Sequence, residues 1–316
     1  MKAVQIRAPG VASVVDVPQP RPNRGELLLR VMSCALCNQH DANTFYGRYR
    51  RYRRGGFPRP PGQPGHEGAG VVAAVGEGVD GWNVGDRVAI AGGSGLYAEY
   101  VVRPAHEVVR LPPGVAFDHG APLELAACVL NAVRKAGDLR DKRVAVSGLG
   151  PAGLLAVQLS RILGATEVAG IEPLPARRAV AAELGADLCV SPEDAGRLAR
   201  PHVVIDCSGN AESIQRSFRL ATEQVVLFGY TEEPILVDQE VWFASELTVH
   251  AARVLGRRGI ANLAEVVGYL ADGRLNTATL VTHRLPLEAY AEAVALVERA
   301  EGLKVVLHVA PHPPDE

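Results

Sequence analysis

Six residues, Gly148-Leu149-Gly150-Pro151-Ala152-Gly153, narrow the choice of fold more than any other part of the chain. Before them, Arg143-Val144-Ala145-Val146-Ser147 reads as a buried strand, and after them Leu154–Leu163 reads as a helix. Gly148 permits a tight turn, Gly150 lets the backbone approach a pyrophosphate, and Gly153 lets helix and strand pack closely. Pro151 suits an early helical position because its missing N–H would have been unpaired there. The helix's amino end then offers free N–H groups and a positive dipole end, with Ala152 among them. A lone GxGxxG is weak, but here it has a strand before it, a helix after it and an acidic residue, Glu172, ending the next apolar segment. Together these predict a dinucleotide-binding βαβ unit. Glu172 is placed to accept hydrogen bonds from the ribose hydroxyls, and its charge repels a 2′-phosphate, so NAD is favoured over NADP. Arg177 and Arg178 follow closely and temper that preference.

Two further strand-then-turn units support the same reading. Val203–Asp206 runs into Cys207-Ser208-Gly209-Asn210, and Val225–Leu227 into Phe228-Gly229-Tyr230. This puts Cys207, Ser208 and Gly229 at the carboxyl edge of a parallel sheet, beside the cofactor. From Ala121 to about His250, strand and helix alternate, which implies a parallel sheet with helices on both faces. The first third has a different texture. Lys2–Arg7, Glu26–Val31, Gly68–Val75, Arg87–Ala91 and Glu99–Val102 read as short strands punctuated by Gly and Pro, as in a β-barrel-type domain. After Gly256 come two amphipathic stretches, Ile260–Ala271 and Leu287–Arg299, and a strand, Lys304–Val309.

At 316 residues the chain is long enough for two cores. Its net charge of −2 gives no pull toward nucleic acid or an anionic membrane. No apolar run is long enough to span a bilayer, and Met1–Gly10 lacks the apolar core of a secretory signal. The five cysteines are odd in number and scattered, which argues for a reducing compartment, the cytoplasm by default.

The second informative stretch is Gly65-His66-Glu67-Gly68-Ala69-Gly70, continuing through Gly76 and Val79 to Gly85-Asp86-Arg87-Val88. It reads as a strand, a Gly-rich turn and a second strand. His66 and Glu67 offer zinc a nitrogen and an oxygen, although an isolated pair of this kind is more often structural. Cys37 lies in Cys34-Ala35-Leu36-Cys37-Asn38-Gln39-His40-Asp41. Burial is the commoner fate of a thiol, and Cys34 reads as core. Glu124 sits in the otherwise apolar Ala121-Pro122-Leu123-Glu124-Leu125-Ala126-Ala127-Cys128. An ionised carboxylate there costs several kcal/mol, on the order of 3–5, unless it is paired or bound to a metal.

Gly65-His66-Glu67-x-x-Gly70 with Gly76 and Val79 resembles the zinc-site segment of the medium-chain dehydrogenase/reductase family, the zinc alcohol and polyol dehydrogenases. The resemblance implies an α/β protein with two domains. Residues 1–121 and 256–316 would form a GroES-like β-barrel-type catalytic domain, and residues 122–255 a Rossmann domain with a doubly wound parallel sheet. It implies that Cys37 is the first zinc ligand and that a basic residue near Arg177 lies by the ribose. Glu124 falls where many polyol-type members have a zinc-site glutamate; others use cysteine, for which Cys128, one helical turn on, is the candidate. The expected site is one zinc held by Cys37, His66 and either Glu67 or Glu124, with a fourth position for water or substrate. The expected reaction is hydride transfer between NAD and a primary or secondary alcohol, polyols and anionic alcohols included. Family members commonly carry a four-cysteine lobe for a structural zinc, but the interval from Val88 to Tyr100 has no cysteine. One metal per chain is therefore expected, in a homodimer or homotetramer.

The chain departs from the family pattern beside Cys37. A Ser or Thr usually stands two residues on, followed by an Asp that supports a ligand histidine. Here Gln39 and His40 occupy those places and Asp41 is displaced by one. Gln39 can hydrogen-bond substrate but cannot relay a proton, whereas His40 titrates near neutrality and can. A second oddity is the arginine- and tyrosine-rich loop at 46–59. It reads as a solvated loop, with capture of an anionic substrate as the functional alternative. Single-stranded nucleic acid is a further reading, against which the short patch and the overall charge speak. Two rival functions are a zinc-free quinone or enoyl reductase on the same fold, opposed by Cys37, His66 and Glu124 together, and a nucleotide-binding protein without catalysis.

Overall fold

The computed structural model describes residues 1–49, 56–252 and 257–310. Most of the Arg/Tyr run of the 46–59 loop and the tail from Pro311, expected to fray, lie outside the described residues. Contacts divide the chain into two compact units, Met1–Leu125 with Arg257–Gly273 and Thr277–Glu316, and Ala126–Gly256 with Arg274–Asn276.

In the first unit a hairpin of β1 (Lys2–Ala8) and β2 (Val11–Asp16) forms a small antiparallel sheet. The main sheet is built on β3 (Glu26–Ala35). After it come the short helix α1 (His40–Phe45), β4 (Glu67–Val75), β5 (Arg87–Ala91), β6 (Tyr100–Pro104) and β7 (Val108–Arg110). Helix α2 (Phe117–Gly120) follows, and α3 (Leu123–Lys135) begins here and ends in the second unit. β3 runs four residues beyond its predicted end. Its last residues pair with Glu67–Ala69 of β4 on one side and with the C-terminal strand on the other. The polar Ser33 interrupts the apolar run in sequence, but its hydroxyl donates to Asp118 at 2.6 Å.

The second unit contains β8 (Arg143–Ser147), α4 (Pro151–Ile162), β9 (Glu167–Ile171), α5 (Pro175–Glu183) and β10 (Leu188–Val190). It continues through β11 (Val203–Asp206), α6 (Ala211–Leu220), β12 (Gln224–Leu227), α7 (Gln239–Ala244) and β13 (Thr248–Ala251). All six strands are parallel, in the order β10-β9-β8-β11-β12-β13. Numbered within the unit this is 3-2-1-4-5-6, the doubly wound dinucleotide-binding topology, with its switch point between β8 and β11. α4 starts at Pro151 rather than Leu154, with Gly150 as N-cap. Val204, Val225, Ile171, Ile214 and Phe218 form the core between sheet and helices.

The chain then returns to the first unit with α8 (Arg257–Ala271), β14 (Val281–Pro286), α9 (Tyr290–Glu298) and β15 (Lys304–His308). The predicted helical stretch 287–299 is split into a 3-10 turn, Leu287–Ala289, and α9. β15 completes the sheet order β14-β15-β3-β4-β5-β7, with β6 also pairing to β3. Ile6, Leu27, Leu29, Ile90, Leu96, Tyr97, Tyr290 and Leu307 fill its core; each buried apolar side chain of this size contributes about 1.5–3 kcal/mol. A GroES-like sheet unit and a Rossmann unit are thus both present, as the sequence implied. Among the described residues no helix is long and apolar enough to cross a membrane.

Candidate active site

Pairing of β4 with β3 and β5 brings the metal-ligating residue types together. Cys37 follows directly after β3, His66 precedes β4 and Glu67 is its first residue, paired in register with Ala91. Cys37 Sγ, an imidazole nitrogen of His66 and a carboxylate oxygen of Glu67 lie within 4.8 Å of one another. Thiol, imidazole and carboxylate are the donors zinc takes. Cys37 Sγ, a His66 ring nitrogen and a Glu67 carboxylate oxygen are the atoms that would hold such an ion together. Glu67 is fully buried, and its carboxylate is paired with Lys304, whose Nζ lies 2.6 Å from Oε2.

Glu124 does not join the close trio, although its charge reaches both His66 and Glu67. It is half-buried near the start of α3, with its Oε1 beside Gly92. Of the two glutamates that the sequence left open, the structure draws Glu67 closer. Cys34 is buried in β3, as read, and no disulfide joins any of the five cysteines, all of which lie among the described residues.

The electrostatics follow from burial of mixed charges. Burial pulls the His66 imidazole down, but Cys37, Asp41 and Glu124 outweigh it and hold it well above its ordinary value. Burial pushes the Glu67 carboxyl up to about 7 against the opposing charges of Lys304 and His66. Lys304 Nζ donates to Glu67 Oε1 at 2.8 Å and to Leu36 O at 2.6 Å.

Lys304 is the residue that sequence reasoning passed over, and Asp41, noted only as displaced by one, is the other support of the trio. Asp41 is wholly buried; its Oδ2 accepts from Cys37 N at 2.9 Å and from the Tyr97 hydroxyl. Its Oδ1 has no hydrogen bond and stands 3.9 Å from His66 Nδ1, which also lies 3.1 Å from Pro64 O. The displaced aspartate therefore still lies beside both Cys37 and His66. One added residue at the start of α1 was the available signal. His40 and Asp41 form a second close donor set with His66, and His40 Nδ1 hydrogen-bonds the Tyr49 hydroxyl at 2.8 Å. Gln39 is exposed.

In the second unit the glycine motif sits at the switch point. Gly148 has φ +85°, and a Cβ there would come 2.9 Å from Ser208 N; a Cβ at Gly153 would come 1.8 Å from Gly148 O. Both sites therefore exclude any side chain. Glu172 is nearly buried and accepts from Leu149 N at 2.8 Å and Leu174 N at 3.2 Å, which ties its carboxylate to the glycine turn. Arg177 lies beside Gly150, and Arg178 donates to Glu172 O at 2.6 Å. The Pro151 and Ala152 positions open α4, and Gly229 packs against Gly209. Ser208 Oγ donates to Asp206, whose carboxyl burial holds above its ordinary value despite that bond. Burial and the neighbouring Asp206 push the thiol of half-buried Cys207 up, which disfavours its thiolate.

Comparison with known proteins identifies the family. Residues 23–113 match the alcohol dehydrogenase GroES-like domain, and residues 151–268 match the zinc-binding dehydrogenase domain. Sorbitol dehydrogenase of Gallus gallus is 30% identical over 98% of this chain and 96% of its own length. A zinc-binding dehydrogenase from Sinorhizobium meliloti 1021, solved with NADP, superposes with a TM-score of 0.86 at 26% identity, covering 97% of this chain and 98% of that one. An Escherichia coli CFT073 alcohol dehydrogenase (rspB), solved with NADH, gives 0.85 at 26%, covering 98% and 99%. The chain accordingly belongs to the medium-chain dehydrogenase/reductase family, among its zinc-dependent alcohol and polyol dehydrogenases, and moves hydride between an alcohol and a nicotinamide cofactor.

Proposed function

We propose that the protein is a dehydrogenase of polyols or related secondary alcohols that holds one catalytic zinc and prefers NAD. The observation that carries this reading is the trio Cys37, His66 and Glu67, whose donor atoms lie within 4.8 Å of one another. It also weighs against a zinc-free quinone or enoyl reductase. The first unit is the catalytic domain and the second the dinucleotide domain.

Cys37, His66 and Glu67 would hold the zinc, and Glu124 is the reserve carboxylate. When bound, zinc would supply Lewis acidity that brings the pKa of an alcohol or water it holds down toward neutrality. The remaining work falls to the chain. Asp41 fixes the Cys37 backbone, and Tyr97 fixes Asp41. Lys304 balances the buried Glu67 charge. His40, with Tyr49 on its Nδ1, carries the proton outward in place of the hydroxyl relay that Gln39 cannot supply. Gln39, exposed two residues after Cys37, can hydrogen-bond substrate.

NAD preference is supported by Glu172, anchored on the glycine turn so that its charge stays at the ribose end of the site. The single-zinc assignment is supported by the cysteine-free interval 88–100. Five free cysteines support the cytoplasm. Homo-oligomeric assembly is taken with the family resemblance. An NAD-coupled panel of sugar alcohols, vicinal diols, simple alcohols and hydroxy acids tests the function, with turnover of polyols or diols expected. NAD binding without turnover of any alcohol contradicts it.

A further inference from the structure

Arg103 is a charged side chain without an obvious task. It lies on β6 with only 7% of its surface exposed. Its Nη2 donates to Ser94 O at 2.7 Å and its Nη1 to Val102 O at 2.9 Å, while Nε has no hydrogen-bond partner. A Cβ at Gly93 (φ +73°) would meet Nε at 2.9 Å, so the 92–96 loop closes directly over the guanidinium. Burial draws the guanidinium below its ordinary value, and Glu107 opposes it. For stability alone an apolar side chain would serve as well at such a place.

The loop that Arg103 holds, with its flanking residues Ala91 and Tyr97, adjoins the supports of Cys37, His66, Glu67 and Glu124. Leu96 N donates to Gly65 O at 3.0 Å, and Tyr97 N to Gly62 O at 3.1 Å, on the segment that ends at His66. The approach is close enough that a Cβ at Gly62 would come 2.5 Å from Gly95 O. Tyr97 carries its hydroxyl to Asp41, and Asp41 accepts from Cys37 N. At its other end the loop leaves β5 at Ala91, the partner of Glu67, and Gly92 lies beside Glu124.

We propose that Arg103 is a positioning residue for the metal centre: by fixing the 92–96 loop through Ser94 O, it sets the backbone that aims His66, Cys37 and Glu67 at one point. This rests on the zinc reading above. Lysine at 103 has no planar fork and cannot span both carbonyls as the guanidinium does, and alanine at Gly93 strains a left-handed residue and pushes on the guanidinium.

The test compares wild type, Arg103→Lys and Gly93→Ala. It measures zinc per chain, the rate of zinc loss to excess chelator, the NADH dissociation constant, Tm, kcat and KM. Loss of a residue that orients ligands typically costs about 10–100-fold in metal affinity or activity. Both variants should release zinc about tenfold faster or more, with lower kcat/KM and NADH affinity within about twofold of wild type. Zinc release within about twofold of wild type in the variants, whatever happens to Tm, overturns the role of Arg103 and leaves the zinc reading standing. Should Arg103→Lys not fold, Gly93→Ala decides by the same criterion. Wild-type protein that holds no zinc overturns both.

Discussion

Lys304 and Glu67 form an ion pair with each side chain only 1% exposed, the ammonium of β15 lying 2.6 Å from the Oε2 of β4. Removing one partner of such a pair leaves a buried charge, at a cost of about 3–5 kcal/mol. Lys304→Met should lower the unfolding free energy by that amount in urea titrations. The double variant Glu67→Gln/Lys304→Met should recover most of the loss, because no charge then remains stranded. Equal losses in the single and double variants would mean that packing, not charge, dominates.

Asp118 joins four elements: it takes hydrogen bonds from Ser33 at 2.6 Å and Arg284 at 2.7 Å and lies 3.1 Å from His308 Nε2. Burial alone would raise its carboxyl, but these partners outweigh burial and hold it below the ordinary value. A carboxyl that binds its proton less tightly when folded adds stability above its unfolded pKa of about 3.9, and that stability is lost as pH falls through the folded value. Wild type should therefore exceed Asp118→Asn in urea midpoint at pH 7 and 5, with the gap closing toward pH 3. A gap independent of pH would contradict this.

Glu172→Gln keeps an oxygen for Leu149 N and removes the charge. The ratio of kcat/KM for NADP to that for NAD should rise about tenfold or more, equivalent to about 1.4 kcal/mol, with little change in Tm. A ratio left unchanged would return Glu172 to a purely structural role at the glycine turn.

His40→Ala should lower kcat by about 100-fold or more, within the range for loss of a general base, and flatten the pH–rate profile near neutrality. Tyr49→Phe removes the hydrogen bond to Nδ1 and should shift that profile with a smaller loss. A profile unchanged in His40→Ala would remove His40 from the proton path.

Much of this was legible in the sequence because it depends on local spacing. The Gly148–Gly153 turn, its flanking strand and helix, and Glu172 all lie within one βαβ unit, so a single window contained them. His66 and Glu67 were legible for the same reason. Lys304 was not, because it reaches Glu67 from 237 residues away, and nothing in Gly302-Leu303-Lys304-Val305 marks a buried cation. Asp41 was seen as displaced, but its bond to Cys37 N depends on the tight start of α1, which six residues did not announce. β2 and β14 were missed where alternation was weak, and β3 was cut short at the polar Ser33. That Glu67 rather than Glu124 lies close to Cys37 and His66 depends on how β4 pairs with β3 and β5, a register that spacing alone does not fix.

The most direct measurement is zinc content with activity for wild type and Cys37→Ser, alongside NADH binding. About one zinc per wild-type chain is expected, with zinc and alcohol oxidation both lost in Cys37→Ser while NADH affinity persists. Near two zinc per chain, or a Cys37→Ser protein that keeps both its zinc and its turnover, would contradict a single metal centre built on Cys37, His66 and Glu67.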